Sequence, residues 1–337
     1  MTTSLQHRFM GSLDGARVLV TGGSGSIGSE LVRKLLERRV SHIIVFSRDD
    51  SKQFYLQQEF EGTDRVSFII GDVRDRESLS SAFRLGVDVV IHAAALKHVL
   101  ICELNPTESV KTNILGTQNV VDLSIQFGVK YMVTISTDKA VNPSSTMGAT
   151  KYLAEKITVD ANSSSEMKSI CVRFGNVLGS RGSVIPALVN GIRQRGKIWI
   201  SDPEVTRFAM PISDAASLVL DSLDLATGGE IFVLKMKAFS VGQLLDVIKS
   251  MKISDEFDVE TRGLNKVEKL HEDLISREEL TRLWESPSHY LISPLDESWE
   301  PNPSFSESKM ELYNSGNEIR FSNEELRMEI ELYLNRV

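Results

Sequence analysis

Along the first half of the chain, short apolar runs alternate with longer stretches whose apolar positions recur at helical spacing. Residues 17–20 read as a strand that runs into glycines. Residues 30–38 read as a helix with Leu31, Leu35 and Leu36 on one side. Five more strands are predicted over 42–46, 66–72, 87–92, 131–136 and 169–173, with helices over 106–127 and 147–161. Such alternation implies parallel pairing with helices on both faces of the sheet. Right-handed crossovers then give a Rossmann-type doubly wound α/β fold. Past about residue 175 the alternation weakens into loops and shorter elements, including 179–183, 201–207 and 264–276. A helix is predicted over 240–251, and Ser322-Asn323-Glu324-Glu325 has the form of a capping box opening a last helix to about 334. The pattern divides the chain into an arm over 1–14, a doubly wound domain over 15–175 to which some later segments return, and a smaller C-terminal lobe with a tail over 176–337.

The glycines after the first strand change this outline into a binding site. Thr21-Gly22-Gly23-Ser24-Gly25-Ser26-Ile27-Gly28 has the G-x-x-G-x-x-G spacing between a strand and a helix. Glycine lets the backbone approach a pyrophosphate, and the helix N-terminus favours its charge. A dinucleotide is therefore expected, held by Thr21, Gly22, Gly25, Ser26, Ile27 and Gly28. The second strand ends in Ser47-Arg48-Asp49-Asp50. An arginine beside a serine suits a 2′-phosphate, whereas a carboxylate there suits a free ribose diol. NADP is favoured over NAD on this chemistry. Asp72 ends the third strand, where a side chain can meet adenine. Ala93, Ala94 and Ala95 end the fourth, where small side chains admit the cofactor.

Composition narrows the partners. A net charge of −8 disfavours nucleic acid, which needs a basic face. No apolar run reaches the roughly 18–20 residues of a membrane span. Cys102 and Cys171 have no metal-ligand spacing and fit a reducing cytoplasm, and no metal site is expected.

Together these blocks resemble the extended short-chain dehydrogenase/reductase family. Its Y-x-x-x-K pair aligns with Met147 and Lys151. Within that family, residues 92–99, 111–117, 136–140, 173–184, 202–208, 268–272 and 313–317 resemble the UDP-N-acetylglucosamine 4,6-dehydratases of polysaccharide and flagellin-sugar biosynthesis. The resemblance runs from about residue 15 to 335. It implies C4 oxidation of a UDP-sugar on bound NADP, loss of the C5 proton, departure of the C6 hydroxyl as water, and return of the hydride to C6. It also implies a homo-oligomer. The blocks at 268–272 and 313–317 look more like C5-inverting enzymes, although the Met147 block occurs in retaining ones too.

Adjacent Asp138 and Lys139, at the carboxyl end of a central strand, supply the acid and base that elimination needs. Asp138 is assigned as the acid for the leaving hydroxyl and Lys139 as the C5 base, which requires a lowered lysine pKa; the two roles can also be swapped. Met147 stands where the family has tyrosine, and a thioether cannot handle a proton. Asp138 or a water held by Thr137 must then take the C4 proton. Lys151, one helical turn on, is expected to hold the nicotinamide ribose. Val73, Lys97 and Asn113 complete the expected cofactor contacts. Arg181 and Arg207 are candidate diphosphate ligands, with Lys97, Asn176, Glu268 and Lys269 beside them. Residues 313–317 are read as a mobile tail over the site. The competing readings are a UDP-hexose epimerase of the same fold and a non-catalytic NADP-binding sensor.

Overall fold

The computed structural model describes residues 11–253 and 257–335. Of the predicted N-terminal arm, residues 1–10 lie outside the described residues; Ser12 donates to Asp224. The alternation then proceeds as β1 (Arg17–Thr21), α1 (Ser26–Leu36), β2 (His42–Ser47), α2 (Asp50–Glu59), β3 (Val66–Ile70), α3 (Arg76–Phe83) and β4 (Val89–His92). After β4 come α4 (Val99–Leu104), α5 (Pro106–Ser109), α6 (Gly116–Gln126), β5 (Tyr131–Ile135), α7 (Thr146–Asp160) and β6 (Lys168–Arg173). The single helix expected over 106–127 is interrupted. A π-helical segment, Val110–Leu115, joins α5 to α6. That wider turn presents Asn113, which accepts from Leu96 N–H and donates to the Leu96 carbonyl and Thr150 Oγ1.

The second half supplies β7 (Asn176–Leu178), α8 (Val184–Arg195), β8 (Lys197–Ile200), β9 (Thr206–Pro211), α9 (Ile212–Leu225), β10 (Ile231–Leu234), β11 (Lys237–Ser240) and α10 (Val241–Ser250). It closes with β12 (Asp258–Thr261), β13 (Leu283–Glu285), β14 (His289–Ile292), β15 (Ser306–Glu307) and α11 (Asn323–Leu334). Seven strands run parallel in the order β3-β2-β1-β4-β5-β6-β10. β14, β13 and β15 extend that sheet with antiparallel pairings. Four segments from beyond residue 175 thus return to the first domain's sheet.

Both faces of the sheet are covered, and alternate strand residues show it. Val18 and Val20 pack with Leu31 and Leu35 of α1 and Val219 and Leu223 of α9. Leu19 points the other way, towards Leu79 and Phe83 of α3 and Val120 of α6. The smaller lobe has its own core, built from Ile185, Val189 and Ile192 of α8, Leu244 and Ile248 of α10, and Leu326 and Ile330 of α11. The predicted capping box is present at Ser322 and Glu325.

The predicted mobile tail over 313–317 is not a tail. Tyr313 is buried, and its hydroxyl accepts from Met236 N–H. Ser315 is fully buried between Thr206 and Glu272. Asn, Ser and Gly mark a turn in either setting, and here packing of the Tyr313 ring on Phe208 holds that turn inside the protein.

Candidate active site

At the carboxyl ends of the parallel strands lies a cleft of about 1270 Å³, reaching from the phosphate loop to the small lobe. Single small-molecule pockets run to roughly 300–1,000 Å³, so this cleft has room for two ligands. Parallel sheets place their ligands at this end because the loops and helix N-termini converge there.

The loop after β1 turns at Gly22, whose φ is +68°. A Cβ there would stand 2.7 Å from Ala94 N and 2.8 Å from the Ala93 carbonyl carbon. The loop therefore presses directly on the backbone at the end of β4, which explains the glycine at 22. α1 opens with Gly25 as its N-cap, with no side chain capping it and no acidic residue in its first turn. Its free N–H groups fit a pyrophosphate. Gly22, Gly25, Ser26, Ile27, Arg48, Ala93, Ala95 and Lys97 all line the cleft.

Other predicted cofactor residues stand behind this surface. Thr21 is buried and bonds the ring of His92, which burial pushes down to about 3. Ser47 shares its hydroxyl with Ser24 and Gln53, which leaves Arg48 as the group exposed to a phosphate. The Asp72 carboxylate is held by Arg74 and lies 3.5 Å from Arg48. Gly28 and Val73 are buried, and Asn113 is an internal clamp. None of these residues, and not Ala94, lines the cleft.

The candidate reacting centre forms where β5 ends. Thr137 caps the short 3₁₀ turn Asp138–Ala140 and donates its hydroxyl to Asp138 at 2.7 Å. α7 begins hard against this turn. A Cβ at Gly148 would lie 2.2 Å from the Lys139 carbonyl oxygen, so only glycine lets the helix close in. This approach sets Met147, Lys151, Thr137 and Lys139 along one wall of the cleft. The Lys151 ammonium donates to the Ile135 carbonyl at 2.5 Å, and burial lowers its pKa.

Two features differ from the sequence expectation. Asp138 is fully buried and does not line the cleft. Lys139 lies 3.0 Å from Asp138 and 3.5 Å from Glu272. Burial alone would lower its pKa, but the two carboxylates outweigh burial and raise it. A lysine base needs the opposite direction. Glu272 is the residue that sequence reasoning passed over. It lies in the same block as Glu268 and Lys269, but it is the member of that block whose buried side chain reaches Lys139. The signal available was its place just before the apolar pair Leu274-Ile275, which buries the segment.

On the substrate side, Asn176, Arg207, Glu268 and Lys269 line the cleft with Lys139. Arg207 donates to Glu268 at 2.9 Å, and its Nε is 3.9 Å from Glu272. Lys269 donates to the Val141 carbonyl. Arg181 is elsewhere. Its guanidinium donates to the Ser24 carbonyl at 2.6 Å and its backbone N–H to Ser26 Oγ at 3.1 Å. Lys97 holds the Arg181 carbonyl at 2.7 Å. Arg181 thus sits on the phosphate loop, on the cofactor side of the cleft.

Comparison with known proteins identifies the family. The profile of a polysaccharide biosynthesis protein family matches residues 18–294. The chain is 43% identical over 286 residues to an uncharacterized membrane protein of Methanocaldococcus jannaschii, across 82% of this chain and 85% of that one. It is 41% identical over 282 residues to a UDP-N-acetylglucosamine 4,6-dehydratase (inverting) of Campylobacter jejuni, across 82% of each. It is 36% identical over 286 residues to a UDP-glucose 4-epimerase of Rickettsia rickettsii, across 83% of each. The solved structure of Pen from Bacillus thuringiensis shares 37% identity with a TM-score of 0.87, covering 96% of this chain and 98% of that chain. Among the described residues no helix is long and apolar enough to cross a membrane. The chain belongs to the polysaccharide biosynthesis protein family, an extended short-chain dehydrogenase/reductase with a Rossmann-type α/β fold.

Proposed function

We propose that this protein is a UDP-N-acetylglucosamine 4,6-dehydratase that works on bound NADP and inverts C5. The observation that carries the reading is the Asp138–Lys139–Glu272 cluster, two buried carboxylates about a partly buried ammonium, whose Lys139 and Glu272 line the same cleft as Met147 and Lys151. Elimination needs a proton acceptor and a proton donor on one substrate, and an ammonium beside a carboxylate supplies both. The Campylobacter relative, named as the inverting dehydratase, supports the substrate and the stereochemistry.

The glycine turn at Gly22 and the uncapped start of α1 fit a dinucleotide. Bound there, its nicotinamide supplies oxidation at C4 and reduction at C6. Arg48, exposed at the end of β2, is placed for a 2′-phosphate and favours NADP over NAD. Lys151 orients the nicotinamide ribose. Met147 contributes shape and excludes water, and Thr137 holds a water that takes the C4 hydroxyl proton. Arg207 and Lys269 meet the diphosphate.

Protein supplied with UDP-N-acetylglucosamine and either dinucleotide is expected to release one water per sugar, faster with NADP. Mass spectrometry of the product tests this. The Rickettsia relative supports an epimerase as the second reading; an epimerase would return an isobaric sugar, and a sensor would leave the sugar unchanged.

The same reading places the protein in the cytoplasm as a homo-oligomer. Leu100, Ile101 and Leu104 of α4 and Tyr152 and Leu153 of α7 are exposed apolar side chains on neighbouring helices, which supports self-association. Light scattering of the purified protein is expected to give a multiple of the 37.5 kDa chain mass.

A further inference from the structure

We infer that Glu272 is the base that removes the C5 proton and that the Lys139 ammonium protonates the departing C6 oxygen; the inference rests on the dehydratase reading above. Asp138 is excluded from contact with the sugar by its position. It is fully buried behind the cleft wall, and its Oδ1 already holds the Thr137 hydroxyl and the Lys139 ammonium. Lys139 is excluded as the base by its surroundings. An ammonium shared between two carboxylates at 3.0 and 3.5 Å keeps its proton, and a protonated amine accepts none.

Glu272 meets the requirements that the other two fail. It lines the cleft and is only 4% exposed. Its Oε1 faces Lys139, and its Oε2 has no hydrogen-bond partner; Asp138 Oδ2 has none either, so it is the place of Glu272 on the cleft wall that separates the two. A desolvated carboxylate oxygen without a donor is costly to keep and is suited to receive a proton. The backbone on either side is fixed. Glu272 N–H donates to Ser315 Oγ, and Ser315 N–H donates to the Glu272 carbonyl, both at 2.9 Å. Burial raises the carboxyl pKa, against the opposing charges of Lys139, Arg207 and Lys269 and with the help of Asp138. A carboxylate whose pKa is raised is a stronger base than an exposed one.

The proton count closes. Once C4 is a ketone, the C5–H bond breaks and its proton goes to the Glu272 carboxylate. The electron pair forms the C5=C6 double bond as the C6–O bond breaks. The proton from Lys139 Nζ completes the leaving water. Glu272 is then neutral and Lys139 is a free amine; a proton passing back between them over 3.5 Å restores both.

The test is Glu272→Gln, close to isosteric, in the full chain with bound dinucleotide and UDP-N-acetylglucosamine. Water loss is expected to fall by about 10²- to 10⁴-fold, the range for losing a general base. C4 oxidation should persist, so absorbance of the reduced nicotinamide builds up, and solvent deuterium should no longer enter C5. If the glutamine variant melts early, Glu272→Asp takes its place, with slowed water loss and intact C4 oxidation expected. Water loss within about threefold of wild type in a folded variant overturns the assignment, as does joint loss of C4 oxidation and elimination. Wild-type protein that releases no water overturns the dehydratase reading itself, and so the two failures are distinct.

Discussion

Replacing Lys139 with methionine is expected to slow water release from UDP-N-acetylglucosamine by about a thousandfold, because a proton donor and its electrostatic support vanish together. Methionine keeps much of the volume but removes the charge between Asp138 and Glu272. The cation between the two buried carboxylates is then gone, Glu272 keeps Arg207 at 3.9 Å as its nearest positive charge, and it resists ionisation more strongly. The sign matters. Lys139 is the largest influence lowering the Glu272 pKa, so its removal moves that pKa further up. Glu272 then holds its proton to higher pH than in wild type and regains the ionised form only as pH rises. The residual rate should show an acid limb displaced to higher pH than in wild type. The pH–rate profile of water release, followed by mass, checks this. A variant turning over within about tenfold of wild type would remove Lys139 from the proton path.

The second large effect is on stability. Arg173 on β6 is buried and makes paired bonds to Glu155 of α7 at 2.7 Å and to Glu279 at 2.8 Å. It also donates to the Leu274 carbonyl. One guanidinium thus ties the helix bearing Met147 and Lys151 to the segment bearing Glu272. Burial opposes ionisation of Glu279, yet the bonds and charge of Arg173 hold its pKa below the ordinary value. Arg173→Met would take the bonded cation from both buried carboxylates and leave Glu279 the Ser276 N–H as its donor, a change that costs about 3–5 kcal/mol. Without Arg173, burial pushes the folded-state Glu279 pKa up instead of down, so the deficit is full at neutral pH. It should narrow as pH falls towards the ordinary glutamate value of about 4.3. Denaturant unfolding at pH 7 and pH 5 measures it. A deficit below about 1 kcal/mol would mean that the cluster does not hold these elements together.

The first domain was legible because its strands are buried on both faces, so hydrophobic runs such as Ile43–Phe46 carry their own signal. The phosphate loop was legible because strand, glycines and helix come in order. Pattern reading failed where a side chain's direction decides the matter. Asp138 and Lys139 are neighbours in sequence, but the 3₁₀ turn sends one into the core and the other to the cleft. The block 268–272 was recognised, yet packing of Ser315 against its end, 43 positions away, brings Glu272 inward. The turn at 313–317 and the π-helical segment at Val110–Leu115 likewise follow from tertiary bonds that local propensity does not encode.

Arg181 fastens the second half of the chain to the phosphate loop at Ser24 and Ser26, while Lys97 grips its carbonyl. Hydrogen bonds of this kind contribute about 0.5–1.5 kcal/mol each, so three of them amount to roughly 1.5–4.5 kcal/mol. Release of this clasp is therefore an ordinary thermal event, populated at roughly one molecule in ten to one in two thousand by the tenfold-per-1.4 kcal/mol relation. Separation of the phosphate loop from the second half of the chain is confined to that rare unclasped population, so the rim of the cleft stays shut at this point for most of the time.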